Sequence, residues 1–335
     1  MLGIQSIEIT NNSMKKALVF GICGQDAAYM SELLLEKGYE VYGIGRSVTH
    51  ERLWRLDELG ITEKINISSG DITDASYLVQ LFSDIQPDEC YNFAAISFIG
   101  QSWKTAETTL HVNTTGVLHM LEAIKTVSKH TRLYQAGSSE IFGRPDTNIQ
   151  DETTLSNPCN PYGASKLAAY NFLHIYREAY GIFASNAYCY NHESPLRGIE
   201  YITRKITDGV ARISLGMAKE LRLGNIESSR DWGHARDYVQ AMWLMLQQDK
   251  PDDYVLATGQ THSIKDLLTI AFAHAGVDNW EKYVVEDEKF YRPLEPHTLC
   301  GNNAKAKEKL RWEPSTSFET LVGEMVTADI KRLKR

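Results

Sequence analysis

The sequence predicts an α/β fold: a doubly wound parallel sheet with helices on both faces and a smaller lobe interleaved with it. Three observations carry this. Short apolar runs alternate with helix-length stretches from Lys15 to about residue 190, the pattern of repeated β–α units. A glycine-rich turn closes the first of these runs. After residue 190 the chain becomes loop-rich, with Arg- and Trp-containing segments but no Gly/Ser/Pro linker, so the second part folds back on the first. A chain of 335 residues supplies a sizeable core for this arrangement.

In chain order, 17–22 reads as the first strand, the stretch to Lys37 as a helix and 40–45 as the second strand. That is a βαβ opening. Strand-like 65–68, a helix before Pro87, strand-like 90–95, a long helix ending near Lys129 and strand-like 131–137 continue the alternation. An apolar helix near 236–248 and strand-like 253–258 read as returns to the main sheet.

Composition narrows the function classes. With 43% hydrophobic and 23% charged residues and no low-complexity stretch, the chain is neither disordered nor fibrous. Its 43 acidic residues outnumber 35 basic ones, a net charge of −8, which argues against nucleic acid or an anionic membrane as the main partner. Cys23, Cys90, Cys159, Cys189 and Cys300 are scattered and form no CxxC, so reduced thiols and a cytoplasmic setting are expected, without a disulfide framework or structural zinc. The histidines show no HxxxH or HxH spacing, and no metal is expected. Residues 1–13 read as a flexible extension. They lack a basic stretch leading into an apolar core, and no later window is apolar over the length of a membrane span.

The first strand runs into Gly21-Ile22-Cys23-Gly24-Gln25-Asp26-Ala27, a GxxGxxA pattern at a strand-to-helix junction. Glycines there let the backbone turn sharply and approach a pyrophosphate at the helix N-terminus, whose free N–H groups favour negative charge. This points to a Rossmann-type dinucleotide site built from Gly21, Gly24, Gln25 and Asp26. The second strand ends at Gly45-Arg46-Ser47, without the acidic residue that would hold the ribose 2′-hydroxyl of NAD. NADP with Arg46 at its 2′-phosphate is therefore expected, NAD with a solvated Arg46 being the alternative. Asp71-Ile72 and Ala94-Ala95, at the carboxyl ends of later strands, fall where adenine and ribose are reached. The expected division is residues 14–190 for the dinucleotide, with returns near 233–260, and 191–232 with 261–335 mainly for substrate.

Tyr162 and Lys166 stand i,i+4 on an expected helix and share a face. A lysine ammonium beside a phenol favours phenolate, drawing its pKa down from about 10 so that the tyrosine can accept a proton from a hydroxyl. Ser138 and Glu140, at i,i+2 on the expected strand, also share a face. Glu140 there is a carboxylate base or a structural cap.

Longer strings accompany these residues: YQAGSSEIFG (134–143), NHESP (191–195), TRKI (203–206), LGN (223–225), RDWGHARDY (230–238) and FYRP (290–293). Through them, from Lys16 to about Val326, the chain resembles the extended short-chain dehydrogenase/reductases, and among them the GDP-mannose 4,6-dehydratase family. The resemblance implies a Ser138, Tyr162, Lys166 triad that oxidises C4 of a sugar, with Glu140 moving the C5 proton. Ser139 precedes Glu140 here, whereas related dTDP-glucose 4,6-dehydratases carry an Asp-Glu pair. The resemblance further places Ser97, His192 and Arg197 at the cofactor. Ser97, Ser139, Asn191, Lys205, Gly224, Arg230, Arg292 and Glu295 fall at the GDP-sugar. His192 is equally readable as a satisfied structural histidine, and His234 stays unassigned. Self-association as a dimer or tetramer through two long helices is a family expectation.

Two departures stand out. Ile96-Ser97-Phe98 replaces a Gln-Ser-His run, which alters the wall near nicotinamide and sugar. Arg46-Ser47-Val48 replaces a paired arginine with a longer serine-rich loop that contacts cofactor across a subunit interface. The expected activity is conversion of GDP-mannose to GDP-4-keto-6-deoxymannose. The alternatives are a GDP-heptose dehydratase, a 4-dehydrogenase, epimerase or reductase, and a non-catalytic NADP-binding regulator.

Overall fold

The structure, a computed structural model, describes residues 14–287, 289 and 298–334. The expected extension at 1–13, and Arg292 and Glu295, lie outside the described residues. The first strands are β1 (Lys16–Phe20), β2 (Glu40–Gly45), β3 (Asn66–Ser69), β4 (Glu89–Asn92), β5 (Arg132–Ala136) and β6 (Ala184–Cys189). β7 (Asn191–Glu193), β8 (Leu221–Leu223), β9 (Ser229–His234), β10 (Tyr254–Leu256), β11 (Thr261–Ser263) and β12 (Val284–Glu286) follow. Seven of them form one parallel sheet in the order β10-β6-β5-β4-β1-β2-β3. The order reverses beside β1, so the crevice between the carboxyl ends of β1 and β4 is the switch point where such sheets take ligands.

The helices are α1 (Gln25–Glu36), α2 (Trp54–Leu59), α3 (Ala75–Ile85), α4 (Ile99–Ser102), α5 (Ala106–Leu110) and α6 (Gly116–Val127). After them come α7 (Pro161–Tyr180), α8 (Ile202–Ser214), α9 (Ala235–Leu246), α10 (Ile264–His274), α11 (Ala304–Leu310) and α12 (Phe318–Leu333). Side chains on β1 alternate between two cores. Ala17 and Val19 face one built with α1, α9, α11 and Trp312, while Leu18 and Phe20 face another built with α3, α6 and α7. All four are buried, the mark of a parallel sheet covered on both sides. A third core, from α8, α10 and α12 with Leu221, Leu223 and Trp232, forms the second lobe. Its strands β11-β9-β7 and β12-β8 make two small sheets.

Two features differ from the sequence pattern. β6 is absent from the expected strands because Ala-Ser-Asn-Ala-Tyr-Cys is not an apolar run, yet all six residues are buried. Two bonds from outside the strand support its polar members: Asn186 N donates to Asp253 Oδ1 (3.1 Å) and Ser185 Oγ accepts from Asp252 N (3.3 Å). The long helix before β5 ends at Val127 and is interrupted between α5 and α6 by a π-helical turn, His111–Thr115. A single wide turn leaves no trace in apolar periodicity.

Candidate active site

β1 delivers the chain into Gly21, whose φ of +80° suits a residue without Cβ. A Cβ there would lie 2.9 Å from the backbone of Phe93 and Ala94, so the glycine lets the turn close onto the end of β4. Gly24 then opens α1 with no side-chain cap, leaving the helix N-terminus to face the crevice. This bare turn and helix end fit a pyrophosphate. Arg46 stands exposed just beyond β2, near Asp71. Asp71 Oδ1 accepts from both N and Oγ1 of Thr73 (2.9 and 2.8 Å). Burial opposes its charge, but these bonds and Arg46 hold its carboxyl below the usual value. The Ile72 side chain packs in the core against Gly116. Ala94 N donates to Asn92 Oδ1 (3.1 Å), and Ala95 follows at the same sheet edge.

Gln25, Asp26 and His192, read as cofactor contacts, make their side-chain bonds with one another and with the second lobe. Gln25 Nε2 donates to Asp26 Oδ1 (2.9 Å) and to the His192 carbonyl (3.1 Å), while its Oε1 accepts from Ser194 Oγ (2.7 Å). His192 sits between Asp26 Oδ2 (2.9 Å) and the Tyr190 carbonyl (2.7 Å), stacked on Tyr238 at 4.8 Å. Both ring nitrogens face acceptors, which only the imidazolium satisfies. Burial disfavours that charge, yet Asp26 raises the His192 pKa above its ordinary value. Burial likewise opposes the Asp26 carboxylate, but the His192 charge and hydrogen bond take it down to about 2. Both His192 ring nitrogens thus find partners within the protein.

The catalytic candidates converge beyond β5. The strand ends at Ala136, and Ser139–Ile141 form a 3₁₀ turn with Ser138 as its cap, accepting from Glu140 N at 3.2 Å. This corrects the expected strand placement: Ser138 and Glu140 are joined by a turn, not by strand alternation. Ser138, Ser139, Tyr162 and Lys166 are buried, and Glu140 is half-buried. α7 begins at Pro161 behind an Asn160 cap, a strong start signal. Gly163 brings it close: a Cβ there would sit 2.4 Å from the Glu140 carbonyl. Lys166 Nζ donates to the Ala136 carbonyl (2.6 Å) and lies 5.8 Å from the centre of the Tyr162 ring.

Electrostatics here departs from the sequence expectation. Burial pushes the Tyr162 phenol well above its ordinary value, against a hydrogen bond with Ser138 that lowers it. Lys166 is itself pushed down to about 8 by burial. The side chain that eases Tyr162 ionisation is thus Ser138, and Lys166 is held by a carbonyl.

The opposite wall contains residues that spacing did not reveal. Tyr201 precedes α8; its hydroxyl meets Ser97 Oγ at 2.8 Å, Phe98 packs edge-on against its ring at 5.9 Å, and the Arg197 guanidinium covers it at 3.6 Å. Arg197 pairs with Glu193 at 3.0 Å. In the π turn, Asn113 bonds both N and O of Ile96 (2.8 and 3.2 Å) and Ser165 Oγ (3.0 Å), tying this wall to α7. Asn191 on β7, Lys205 on α8, Gly224 after β8 and Arg230 on β9 come from the second lobe. Lys205 and Arg230 are half-buried, Lys205 near Asp287. Arg204, inside the TRKI string, is structural: it pairs with buried Asp329 at 2.7 Å and donates to the carbonyls of Pro195 and Arg197.

A family model described as GDP-mannose 4,6 dehydratase matches residues 18–325. The chain belongs to the GDP-mannose 4,6-dehydratase family. It is 46% identical over 331 residues to GDP-mannose 4,6 dehydratase 1 of Arabidopsis thaliana, covering 96% of this chain and 91% of that one. With GDP-mannose 4,6 dehydratase of Homo sapiens it shares 42% over 342 residues, covering 95% and 92%. Among solved structures, a Bacillus cereus UDP-glucuronic acid 4-epimerase matches with a TM-score of 0.83 at 21% identity, covering 95% of this chain and 99% of the other. A Bacillus anthracis dTDP-glucose 4,6-dehydratase gives 0.82 at 21%, covering 96% and 98%. These neighbours share the fold.

Proposed function

We propose that this protein is an enzyme converting GDP-mannose to GDP-4-keto-6-deoxymannose with bound NADP. The observation that carries the reading is the Ser138–Glu140 turn beside Tyr162: redox chemistry at C4 alone needs no second carboxylate, whereas dehydration needs a base for C5. The bare turn at Gly21 and Gly24, with Arg46, Ala94 and Ala95, would hold the dinucleotide. NADP, when bound, supplies the hydride acceptor for C4 and the hydride donor for C6.

The chain's own residues handle the protons. Tyr162 accepts the proton of the C4 hydroxyl, and Ser138, which lowers the Tyr162 pKa against the larger effect of burial, steadies the same oxygen. The C4 ketone acidifies C5–H. Glu140 takes that proton as the C5–C6 double bond forms, and delivers it to the departing C6 oxygen, so the sugar loses one water. Glu140 takes up a solvent proton and returns it to C5 as C6 is reduced, while Tyr162 releases the C4 hydroxyl proton to solvent, so both residues are restored and the balance closes. Lys205 and Arg230 suit the diphosphate, with Asn191, Ser139 and Gly224 along the nucleotide-sugar path. The Phe98–Tyr201 wall favours one second reading, a related GDP-sugar as substrate.

Exposed Leu110 on α5 and Ile175 and Tyr180 on α7 support self-association through these helices. Five free cysteines support a reducing, cytoplasmic setting. The test is incubation with GDP-mannose in heavy water, read by mass spectrometry. Loss of one water with deuterium gained at C5 is expected. Turnover of GDP-mannose without water loss would overturn the dehydratase reading.

A further inference from the structure

Glu140 is held by a residue that no motif singled out. Asn160 is only 7% exposed, and both ends of its amide are engaged. Its Oδ1 accepts from Gly163 N (2.8 Å), capping the helix that carries Tyr162 and Lys166. Its Nδ2 donates to Glu140 Oε2 (2.8 Å). One planar side chain thus connects the proposed C5 base to the first turn of the helix that bears the proposed C4 acid–base. An amide N–H can donate to a carboxylate, and pinning one carboxylate oxygen fixes the direction of the other.

We infer that Asn160 is a positioning residue that aims the free oxygen of Glu140 at the C5 hydrogen, in register with Tyr162. This rests on the reading of Glu140 as the C5 base. An amide bond to a carboxylate is of the stronger, charge-assisted kind, so it holds the group in one orientation. The other ionisable groups around Glu140 are Tyr162 on α7 and Cys159 just before it, each made harder to ionise by the Glu140 charge, with Arg144 close to Cys159. Asn160 is the neutral donor among them. It orients the carboxylate without forming an ion pair.

Two substitutions separate this role from helix capping. Asn160→Asp and Asn160→Ser both retain a good cap for Gly163, but neither retains the amide donor, and the aspartate places a second carboxylate against Glu140. For Asn160→Asp, kcat is expected to fall about tenfold or more, with KM for GDP-mannose within about twofold. Asn160→Ser should show a smaller fall in the same direction, and C5 deuterium exchange should slow in step with kcat in both. Unchanged kcat in both folded variants would overturn the inference, as would a loss of activity in which C5 exchange keeps its rate or KM rises in proportion. Glu140→Gln, measured alongside, tests the underlying reading separately: if it still dehydrates GDP-mannose, the base assignment itself fails, whatever Asn160 does.

Discussion

Lys166 shows how burial reshapes a residue whose role spacing suggests. Its neighbours on α7 and the Ala136 carbonyl leave the ammonium poorly hydrated, which takes it down to about 8 from 10.5. Folding therefore disfavours the charged lysine. That cost is present below about pH 8 and is relieved as pH rises towards the ordinary lysine value of 10.5. The consequence for activity runs the other way, because the ammonium that donates to Ala136 is lost as pH passes about 8. kcat should decline on that alkaline side, and Lys166→Arg, which does not titrate there, should lower kcat while flattening the decline; a kcat–pH profile of both proteins checks this. Ser138, Glu140, Tyr162 and Lys166 were legible in the sequence as candidates because the chemistry they offer lies in the side chain and in short spacings. Asn160, Asn113 and Tyr201 were not, since each acquires its role from a partner 20, 17 or 104 residues away.

At the level of elements, the meeting of α7 with the turn after β5 decides the geometry of the site. Gly163 is what permits it. Gly163→Ala would introduce a methyl group 2.4 Å from the Glu140 carbonyl, a contact that backbone must relieve by moving. Such overpacking costs about 1–3 kcal/mol, so the melting temperature should fall by a few degrees. Dehydration should fall further than stability accounts for, because the displaced atoms belong to Glu140; thermal unfolding and kcat measured on the same preparation separate the two. β1, β2, β4 and β5 were readable as short apolar runs between turn residues. β6 was hidden by Ser185 and Asn186, whose burial is supported by Asp252 and Asp253 from beyond α9. The π turn was hidden because it adds a residue to a helix without changing its apolar character.

Across the whole molecule, the two lobes are tied at the glycine turn. Asp26 and His192 form the central contact, and its strength has a definite pH window. The Asp26 contribution is complete above 3.8, its ordinary value, and is lost as pH falls through about 2. His192, raised above 6.5, contributes fully below that value, and its contribution is lost as pH rises through the folded value. The pair is therefore at full strength between these limits. Asp26→Asn leaves the buried imidazolium without its counter-charge, and at pH 6 it should cost about 3 kcal/mol in a denaturant titration, with the loss shrinking at higher pH. Equal losses at both pH values would show that the tie is not ionic. Gln25 and Ser194 reinforce the same junction.

This junction also sets the order in which the molecule can be made. Asp26 and Gln25 are translated well before their partners His192 and Ser194, which lie 166 and 169 positions later. β10, which completes the sheet beside β6, is translated later still. The opening βαβ unit can collapse early, but its turn acquires final side-chain partners only after the chain has been extended through His192 and Ser194. Contacts of such long sequence separation slow folding, so the dinucleotide site is finished late and a nascent chain halted before residue 192 holds an incomplete one.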